Sequence, residues 1–345
     1  MGFIKKIFGS DNKANQNEID SLPTDAAAFN KRGSTYAKNG DQDRAIADFN
    51  QALALAPDYS TAYINRGSSY AAKGDFKQAI SDFDKGIELN PQFVGAYYSR
   101  GITFAEHGEF DSAINDFEKA IEIDPLFVLP HYSLGTVYLH KGDYDRAIAK
   151  FDKAIQLDPK HASAYRDRGR AYTAKGRYHR TIADYDQAIK LNPQDAIAHH
   201  NRGIANLHLD NSDQAIADFS QAIKLDPNYA EAYFERGNAH ARKGNFDHAI
   251  KDYNKCIELN PHIIGAYANR GNSYAAKKDL DSAISDFTRI IELNPQYAIA
   301  YKNRGVAHLN KRDNQRAIAD FKKALELGLE PSDAQQVKAT LLQLR

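Results

Sequence analysis

The stretch AIAHHNRGIANLHLDNSDQAIADFSQAIKLDPNY, residues 196–229, contains the features that decide the fold of this 345-residue chain. Its eighth residue is a glycine, and a glycine recurs every 34 residues in both directions. The nine glycines are Gly33, Gly67, Gly101, Gly135, Gly169, Gly203, Gly237, Gly271 and Gly305. A fixed period of this length is typical of stacked copies of one helical module. The sequence therefore predicts nine repeats over residues 26–331, with starts at residues 26, 60, 94, 128, 162, 196, 230, 264 and 298.

Hydrophobic periodicity predicts two helices in each repeat. With the recurring glycine counted as position 8, aromatic side chains are usual at positions 4 and 11, and a second apolar stripe occupies positions 20, 21, 24 and 27. Both spacings place side chains on one helical face. A glycine at position 15, such as Gly74, predicts a left-handed stop between the helices. Pairs such as Asn192-Pro193 predict a cap and a fixed φ where the next helix starts.

The glycine at position 8 falls inside the first helix, where glycine costs about 1 kcal/mol relative to alanine. Position 20, usually alanine, stands at a comparable height on the second helix. We therefore expect small residues at both positions to allow the two helices of a repeat to approach closely.

The order of aromatic, glycine, aromatic, alanine, aromatic, alanine and proline at positions 4, 8, 11, 20, 24, 27 and 32 resembles the tetratricopeptide repeat (TPR) family. The resemblance covers residues 26–331. It implies an all-α, right-handed α-solenoid (superhelix) of antiparallel helix hairpins. The chain departs from the family at position 7, where leucine is common, because eight of the nine repeats have arginine there.

These arginines are accompanied by aspartate at position 23 of the same repeat. The fourth repeat has Leu134 and Lys150 instead, so both partners change together. We therefore expect a partly buried ion pair inside each of the other eight repeats. Exposed pairs that contribute little to stability are the alternative. The expected pairs are Arg32–Asp48, Arg66–Asp82, Arg100–Asp116, Arg168–Asp184, Arg202–Asp218, Arg236–Asp252, Arg270–Asp286 and Arg304–Asp320.

The two ends of the chain lie outside the repeats. Residues 1–25 form a polar segment expected to be flexible, apart from a short amphipathic start. Its apolar side chains share one helical face, as in an interfacial membrane anchor, and an unattached tail is the alternative. These side chains are Phe3, Ile4, Ile7 and Phe8. The sequence of residues 332–345 predicts a helix that caps the ninth repeat, with Ser332 as its N-cap. Its apolar side is expected to contain Ala334, Val337, Leu341 and Leu342.

The amino-acid composition argues against several classes of protein. The chain has 45 basic and 45 acidic residues, which does not favour a nucleic-acid partner. Cys256 is the only cysteine, which excludes an intrachain disulfide and a thiolate zinc cluster. No apolar stretch approaches the length of about 18 residues that a membrane span requires. The expected location is the cytoplasm, with peripheral membrane attachment as the alternative.

No catalytic motif accompanies the repeats. A Gly-rich phosphate loop, an HExxH pair, a nucleophile elbow and an EF-hand are all absent from the sequence. The histidines are scattered, and His131 and His199 replace the aromatic side chain at position 4, where packing is expected. The sequence predicts neither enzymatic activity nor a cofactor or metal.

The family resemblance implies that ligands lie along first-helix positions 2, 5, 6, 9 and 13, the concave face. Repeats two to four provide an apolar patch there, Ile64, Tyr98, Ile102 and Tyr132. The fifth repeat provides Arg166 and Arg170. Amides occupy six further positions, Asn65, Asn201, Asn238, Asn269, Asn272 and Asn303. Since an amide both donates and accepts, these asparagines are candidates for binding the backbone of an extended peptide, although solvated polar residues are the alternative.

The family's carboxylate clamp does not fit, because Glu231 and Glu235 stand where basic residues would be required. The expected function is a non-catalytic protein–protein interaction scaffold that binds a peptide or partner segment in the concave groove. The alternative is a substrate-recruiting or targeting subunit of an enzyme complex, membrane-associated through residues 1–9. Self-association also stays open.

Overall fold

The computed structural model describes residues 24–344. The predicted membrane-facing side chains Phe3, Ile4, Ile7 and Phe8 lie outside the described residues. Within residues 24–344 the structure contains nineteen α-helices and no strand. None of these helices combines the length and the apolar composition required to cross a bilayer.

Each repeat contains two helices, as predicted. The first helices, α1, α3, α5, α7, α9, α11, α13, α15 and α17, are Ala26–Lys38, Ser60–Lys73, Val94–Glu106, Val128–His140, Ala162–Ala174, Ala196–His208, Ala230–Arg242, Ile264–Ala276 and Ala298–Asn310. The second helices, α2, α4, α6, α8, α10, α12, α14, α16 and α18, are Gln42–Leu55, Phe76–Leu89, Phe110–Ile123, Tyr144–Leu157, Tyr178–Leu191, Ser212–Leu225, Phe246–Leu259, Leu280–Leu293 and Asn314–Leu327. The last helix, α19, is Pro331–Gln343.

The chain divides into an N-terminal unit that ends at Ala171 and a C-terminal unit that begins at Tyr172. Within each unit, the two helices of a repeat pack against each other, and the second helix also packs against the first helix of the next repeat. The all-α fold of stacked helix hairpins predicted from the sequence is confirmed in both units.

Left-handed residues end the first helices, as expected from position 15. The glycines there have φ between +67° and +86°, and Gly74 is one of them. In three repeats that lack the glycine, Asp210, Lys278 and Arg312 take φ values of 59°, 64° and 63°. The turn geometry therefore persists where the side chain opposes it, because the helices on both sides fix the connection.

The Asn-Pro and Asp-Pro pairs act differently from the prediction. Asn90 is the C-cap of α4, and its Oδ1 accepts a hydrogen bond from the Gln92 N–H at 3.2 Å. The next helix begins only at Val94. An Asn or Asp side chain bonds readily to the backbone two residues later, and this local turn takes precedence over an N-cap role.

The aromatic side chains at position 24 form the centre of every repeat. Those in the fourth and sixth repeats, Phe151 and Phe219, are fully buried. A Cβ added to Gly203 would lie 2.7 Å from the Phe219 ring, and one added to Gly135 would lie 2.6 Å from Phe151. The close contact expected at position 8 is present, but the nearest neighbour is this ring rather than the alanine at position 20.

The C-terminal helix packs on the ninth repeat through part of the apolar side expected, since Val337 and Leu341 belong to the same core cluster as Phe321. Val337 is 3% exposed and packs with Phe321 of α18. Leu342 is 68% exposed, so its assignment to the covered side is wrong. Ser332 is not the N-cap either, because the helix begins one residue earlier with Pro331 at its first position, where proline's fixed φ suits a helix start.

Candidate functional site

Ion pairs between positions 7 and 23 connect the two helices of a repeat. In the first repeat, Arg32 donates from Nε and Nη2 to the two carboxylate oxygens of Asp48, at 2.7 and 2.8 Å. Seven of the eight predicted pairs are confirmed, and their aspartate side chains are 5–9% exposed. The eighth pair, Arg168 with Asp184, is expected between residues of different units and stays a prediction. The buried alternative is therefore the correct one for these seven pairs.

The remaining arm of the same arginine reaches the preceding repeat, which the sequence analysis did not predict. Arg202 donates from Nη1 to Asp186 at 2.5 Å, and Arg66 donates to Asn50 at 2.6 Å. The acceptor always lies 16 residues before the arginine, at position 25, and is Asp, Asn, Ser or Thr. One side chain therefore holds both its own repeat and the junction with the repeat before it.

The apolar patch expected on the concave face is not exposed. Ile64, Tyr98 and Ile102 are each 5% exposed and Tyr132 is 6% exposed. Ile64, Tyr98 and Tyr132 at position 5, and Ile102 at position 9, pack in core clusters that include side chains of the following repeat. The prediction of a free apolar surface is wrong, because a spacing of helical positions does not show whether the next repeat covers them.

Side chains at position 5 of one repeat form hydrogen bonds with residues that lie 35 positions later in the sequence. Asn65 donates from Nδ2 to Asn30 Oδ1 at 3.0 Å, and Tyr132 donates from its hydroxyl to Asp167 Oδ2 at 2.7 Å. In both cases position 5 of one repeat meets position 6 of the next. Burial, the Asp167 charge and this hydrogen bond all raise the pKa of Tyr132, so the phenol keeps its proton as the donor.

The basic pair of the fifth repeat surrounds a carboxylate. Arg166 Nε and Arg170 Nη1 each lie 3.4 Å from Asp167 Oδ1, and Asp167 is 3% exposed. The Arg170 side chain is 55% exposed and the Arg166 side chain 22% exposed. Since the Asp167 carboxylate compensates one of their two positive charges, the net charge of this cluster is lower than the two arginines alone indicate.

The asparagines of the C-terminal unit form a partly connected row. Asn238 Oδ1 accepts from Tyr253 and from Asn269, both at 2.8 Å, and its Nδ2 donates to Glu235 at 3.1 Å. Asn272 is exposed and Asn303 half-buried, and neither has a side-chain hydrogen bond with any described residue. The structure thus brings these four amides onto neighbouring first helices, α13, α15 and α17.

A cleft opens beside the two unpaired amides. Its volume is about 380 Å³, and its wall includes Asn272, Lys302, Asn303, Val306 and Gln336. Lys302 forms an ion pair with Asp333 at 2.8 Å, so this lysine adds no free charge to the wall. Apolar side chains, among them Phe287 and Val337, form much of the remaining wall. The C-terminal helix α19 thus closes one side of the first-helix surface of the last two repeats.

The histidines at position 4 pack as expected. His131 and His199 are 5% and 7% exposed, and their Nε2 atoms lie 3.2 and 3.3 Å from the carbonyl oxygens of Pro125 and Pro193. Burial lowers the pKa of His131, which favours the neutral ring. Across residues 24–344, no group of three His, Cys, Asp or Glu side chains is arranged to hold a metal ion.

Several solved structures resemble the chain. A tetratricopeptide repeat protein from Parabacteroides merdae is 22% identical, with a TM-score of 0.52, and the match covers 73% of this chain and 98% of that one. YrrB, a TPR protein with an unusual peptide-binding site, is 26% identical with a TM-score of 0.49, over 53% and 95% of the two chains. MamA is 29% identical with a TM-score of 0.47, over 50% and 93%.

Family models describe the repeats directly. Models of the tetratricopeptide repeat match residues 60–93, 98–162, 134–200, 184–217, 230–263 and 269–334, and a TPR repeat model matches residues 33–74 and 211–244. No curated protein sequence gives a significant match. Since these matches run from residue 33 to residue 334 with two short gaps, the chain belongs to the tetratricopeptide repeat family.

Proposed function

We propose that this protein is a non-catalytic scaffold that binds an extended peptide or partner segment along the first helices of its C-terminal unit. The observation that carries the proposal is the cleft of about 380 Å³ beside Asn272 and Asn303. These two amides have no partner among the described residues, although each has two donor hydrogens and an acceptor oxygen.

The chemistry of this surface favours an extended backbone over a small molecule. Asn201, Asn238 and Asn269 continue the amides along the preceding repeats, and each side chain is only half-buried. A peptide backbone offers alternating N–H and C=O groups, which amides match without requiring a particular side chain. The exposed side chains of Ile299 and Val306, 41% and 43% exposed, add apolar contact at the ninth repeat.

The binding site differs from the one the sequence predicted, because it lacks the apolar patch. Substitution of Tyr98 or Tyr132 would disturb the core, since both are 5–6% exposed, and would therefore report on stability rather than on binding. Asn272 and Asn303 are the better probes. Their side chains border open space, so replacement with alanine leaves the packing of the repeats unchanged.

The test is selection of binding peptides from a random peptide library with the purified full-length chain. The selected peptide is then titrated into the parent, into an Asn272→Ala and Asn303→Ala double variant, and into Gln315→Ala as the matched control. Gln315 is exposed on the second helix α18, away from the cleft. We expect the double variant to bind about tenfold more weakly and the control to bind normally. Equal affinity in all three proteins would place the peptide elsewhere.

A further inference from the structure

The junction between the ninth repeat and α19 lacks the arginine that joins most neighbouring repeats. At the preceding junction, Arg304 of α17 donates from Nη1 to Thr288 of α16 at 3.1 Å. The position of Thr288 is taken in α18 by Lys322, whose ammonium is not an acceptor. The helix α19, with the sequence PSDAQQVKATLLQ, contains no arginine. It is therefore attached to the ninth repeat by other contacts.

One buried side chain and one ion pair attach α19 to the ninth repeat. Val337 is the only buried residue of α19 and packs with Phe321 of α18, and Leu341 is half-buried in the same cluster. Asp333 forms an ion pair with Lys302 of α17, and both side chains are partly exposed, so the pair contributes little to stability. Asp333, Val337 and Leu341 are spaced by four residues and form one stripe of the helix.

The connection from α18 leaves α19 held on one side only. Gly328 has φ 89° and ψ 103°, a backbone conformation that glycine adopts more readily than other residues. The segment from Gly328 to Glu330 belongs to neither helix, and no side chain caps the start of α19. Within residues 24–344 no further helix covers the other side of α19. The helix can therefore separate from the ninth repeat without breaking the packing of any repeat.

The same helix forms part of the wall of the cleft beside the two unpaired amides. Gln336, Val337 and Thr340 line the cleft from α19, and Asn272 and Asn303 line it from α15 and α17. An extended chain that follows the amides beyond Asn303 therefore meets α19. Separation of α19 would join the cleft to the apolar surface that Val337 covers.

We propose that α19 is an autoinhibitory lid, which occupies the end of the peptide site and leaves the ninth repeat when a partner segment binds. The proposal rests on the proposed function for the position of the peptide, and it adds how access to that position is controlled. The stripe of α19 also defines the partner. A segment that replaces the helix presents a carboxylate to Lys302 and branched apolar side chains in place of Val337 and Leu341, because it must compensate for the contacts that are lost.

Native-state hydrogen exchange of the full-length chain tests whether α19 opens on its own. Local opening exposes only the amides of the segment that moves, so we expect the amides of Val337 and Leu341 to exchange about tenfold faster than those of Gly305 and Phe321. Asp333→Asn removes the ion pair without touching the apolar contact and should speed the exchange of α19 about threefold. Equal exchange rates in α19 and in the ninth repeat would overturn the proposal, because α19 would then open only when the repeat unfolds.

A synthetic peptide of residues 329–345 tests whether another segment can take the place of α19. The peptide carries a fluorophore and is titrated into the full-length parent, into Val337→Asp and into Ala339→Asp. Val337→Asp removes the buried contact of the chain's own helix, whereas Ala339 is exposed and provides the matched control. We expect the peptide to bind Val337→Asp about tenfold more tightly than the parent or the control, because an occupied site lowers the apparent affinity by the fraction that is open. Equal affinity for all three proteins, or no binding to Val337→Asp, would refute the lid.

The peptide selected in the library experiment separates this proposal from the scaffold proposal. If α19 is a lid, the selected peptide binds Val337→Asp more tightly than it binds the parent. Weaker binding to Val337→Asp would overturn the lid, since α19 would then be a part of the binding site, and would leave the scaffold proposal intact. The expected exchange rates and binding of residues 329–345, without any selected peptide, would support only the lid.

Discussion

The fourth repeat, residues 128–161, and the sixth, residues 196–229, share one module but stabilise it by different means. Both place a glycine against a buried phenylalanine ring. At position 7 the fourth repeat has Leu134, fully buried, whereas the sixth has Arg202 bound to Asp218. At position 5 the fourth repeat has a tyrosine with a satisfied hydroxyl, and the sixth has a histidine with an unpaired nitrogen.

The residues that determine how the two helices pack are therefore different from the residues that determine the polar contacts of a repeat. The glycine and the ring at position 24 fix how closely two helices approach, and they are common to both repeats. The residues at positions 5 and 7 vary without changing the module, because Leu134 in the fourth repeat and the ion-paired Arg202 in the sixth occupy the same position between the two helices. Variation at these positions therefore changes the polar groups of a repeat while the repeat keeps its fold.

The largest expected effect concerns what the two repeats share. Gly203→Leu and Gly135→Leu each drive a side chain into a phenylalanine ring that a Cβ alone would approach to 2.7 or 2.6 Å. We expect each variant to lose about 3 kcal/mol of unfolding free energy, at the upper end of the cost of overpacking. Urea denaturation followed by helical circular dichroism measures the loss.

Ile197→Leu is the control for this pair of substitutions. Ile197 lies on the same helix as Gly203 but is 50% exposed, so the change adds no atoms to the helix contact. Its denaturation curve should match that of the parent. If Gly203→Leu also matches the parent, the close approach of the two helices does not require glycine.

The second effect tests what distinguishes the repeats. Arg202→Leu imports the leucine of the fourth repeat but leaves Asp218 buried and without its main partner. We expect a loss of about 2–3 kcal/mol, below the cost of a fully buried pair because the Arg202 side chain retains 23% exposure. The same denaturation experiment measures it. A parental unfolding free energy would mean that the pair contributes only as an exposed pair does.

The reverse exchange converts the fourth repeat into the form of the sixth. Leu134→Arg alone places a cation near Lys150, and its stability should fall. Adding Lys150→Asp supplies the missing carboxylate, so the double variant should recover much of the loss. A double-mutant cycle gives the coupling energy directly. Zero coupling would show that the sequence correlation of positions 7 and 23 has another origin.

The third effect is the pH dependence that Asp218 gives to the stability of the sixth repeat. Burial raises the pKa of Asp218, but hydrogen bonds from His199, Arg202 and Asn206 outweigh it, and the net pKa is below its usual value. A carboxyl with a lowered folded pKa stabilises the fold above its unfolded pKa of about 3.9, and this stabilisation disappears as the pH falls through the lower folded value. Asp218→Asn should therefore cost about 2 kcal/mol at pH 7.

Unfolding free energies measured over a range of pH test this assignment, and a variant of the fourth repeat is the control. The difference between the parent and Asp218→Asn should stay constant from pH 7 to about pH 4 and shrink below that, because protonation then removes the same charge from the parent. Lys150→Gln, at the same position of the fourth repeat, should show no such change in this range. A difference that is independent of pH down to acid unfolding would contradict the assignment.

Much of this architecture could be predicted from the sequence because it is periodic. The spacing of the glycines places all eighteen repeat helices, and the joint loss of arginine and aspartate in the fourth repeat identified the correct partner of Arg202. Both inferences use relations within one repeat. Such relations are visible because the same two positions can be compared in nine repeats of one sequence.

The contacts between repeats were harder to predict. Nothing in the periodicity shows that Tyr132 is covered by the next repeat, since a groove residue and a junction residue have the same helical spacing. The third arm of Arg202 reaches Asp186 in the preceding repeat, at a position where aspartate alternates with asparagine, serine and threonine. Because several residue types share this acceptor role, the sequence does not show that they are equivalent. Only the positions of the neighbouring helices reveal it.

The smallest expected effect exchanges the groups at position 5. His200→Tyr should bring a hydroxyl toward Glu235, as Tyr132 does toward Asp167, and raise the unfolding free energy by about 1 kcal/mol. Tyr132→His should lower it by a similar amount, since Asp167 loses a donor. Urea denaturation measures both changes. If His200→Tyr is instead destabilised, the two rings do not occupy equivalent places in their repeats.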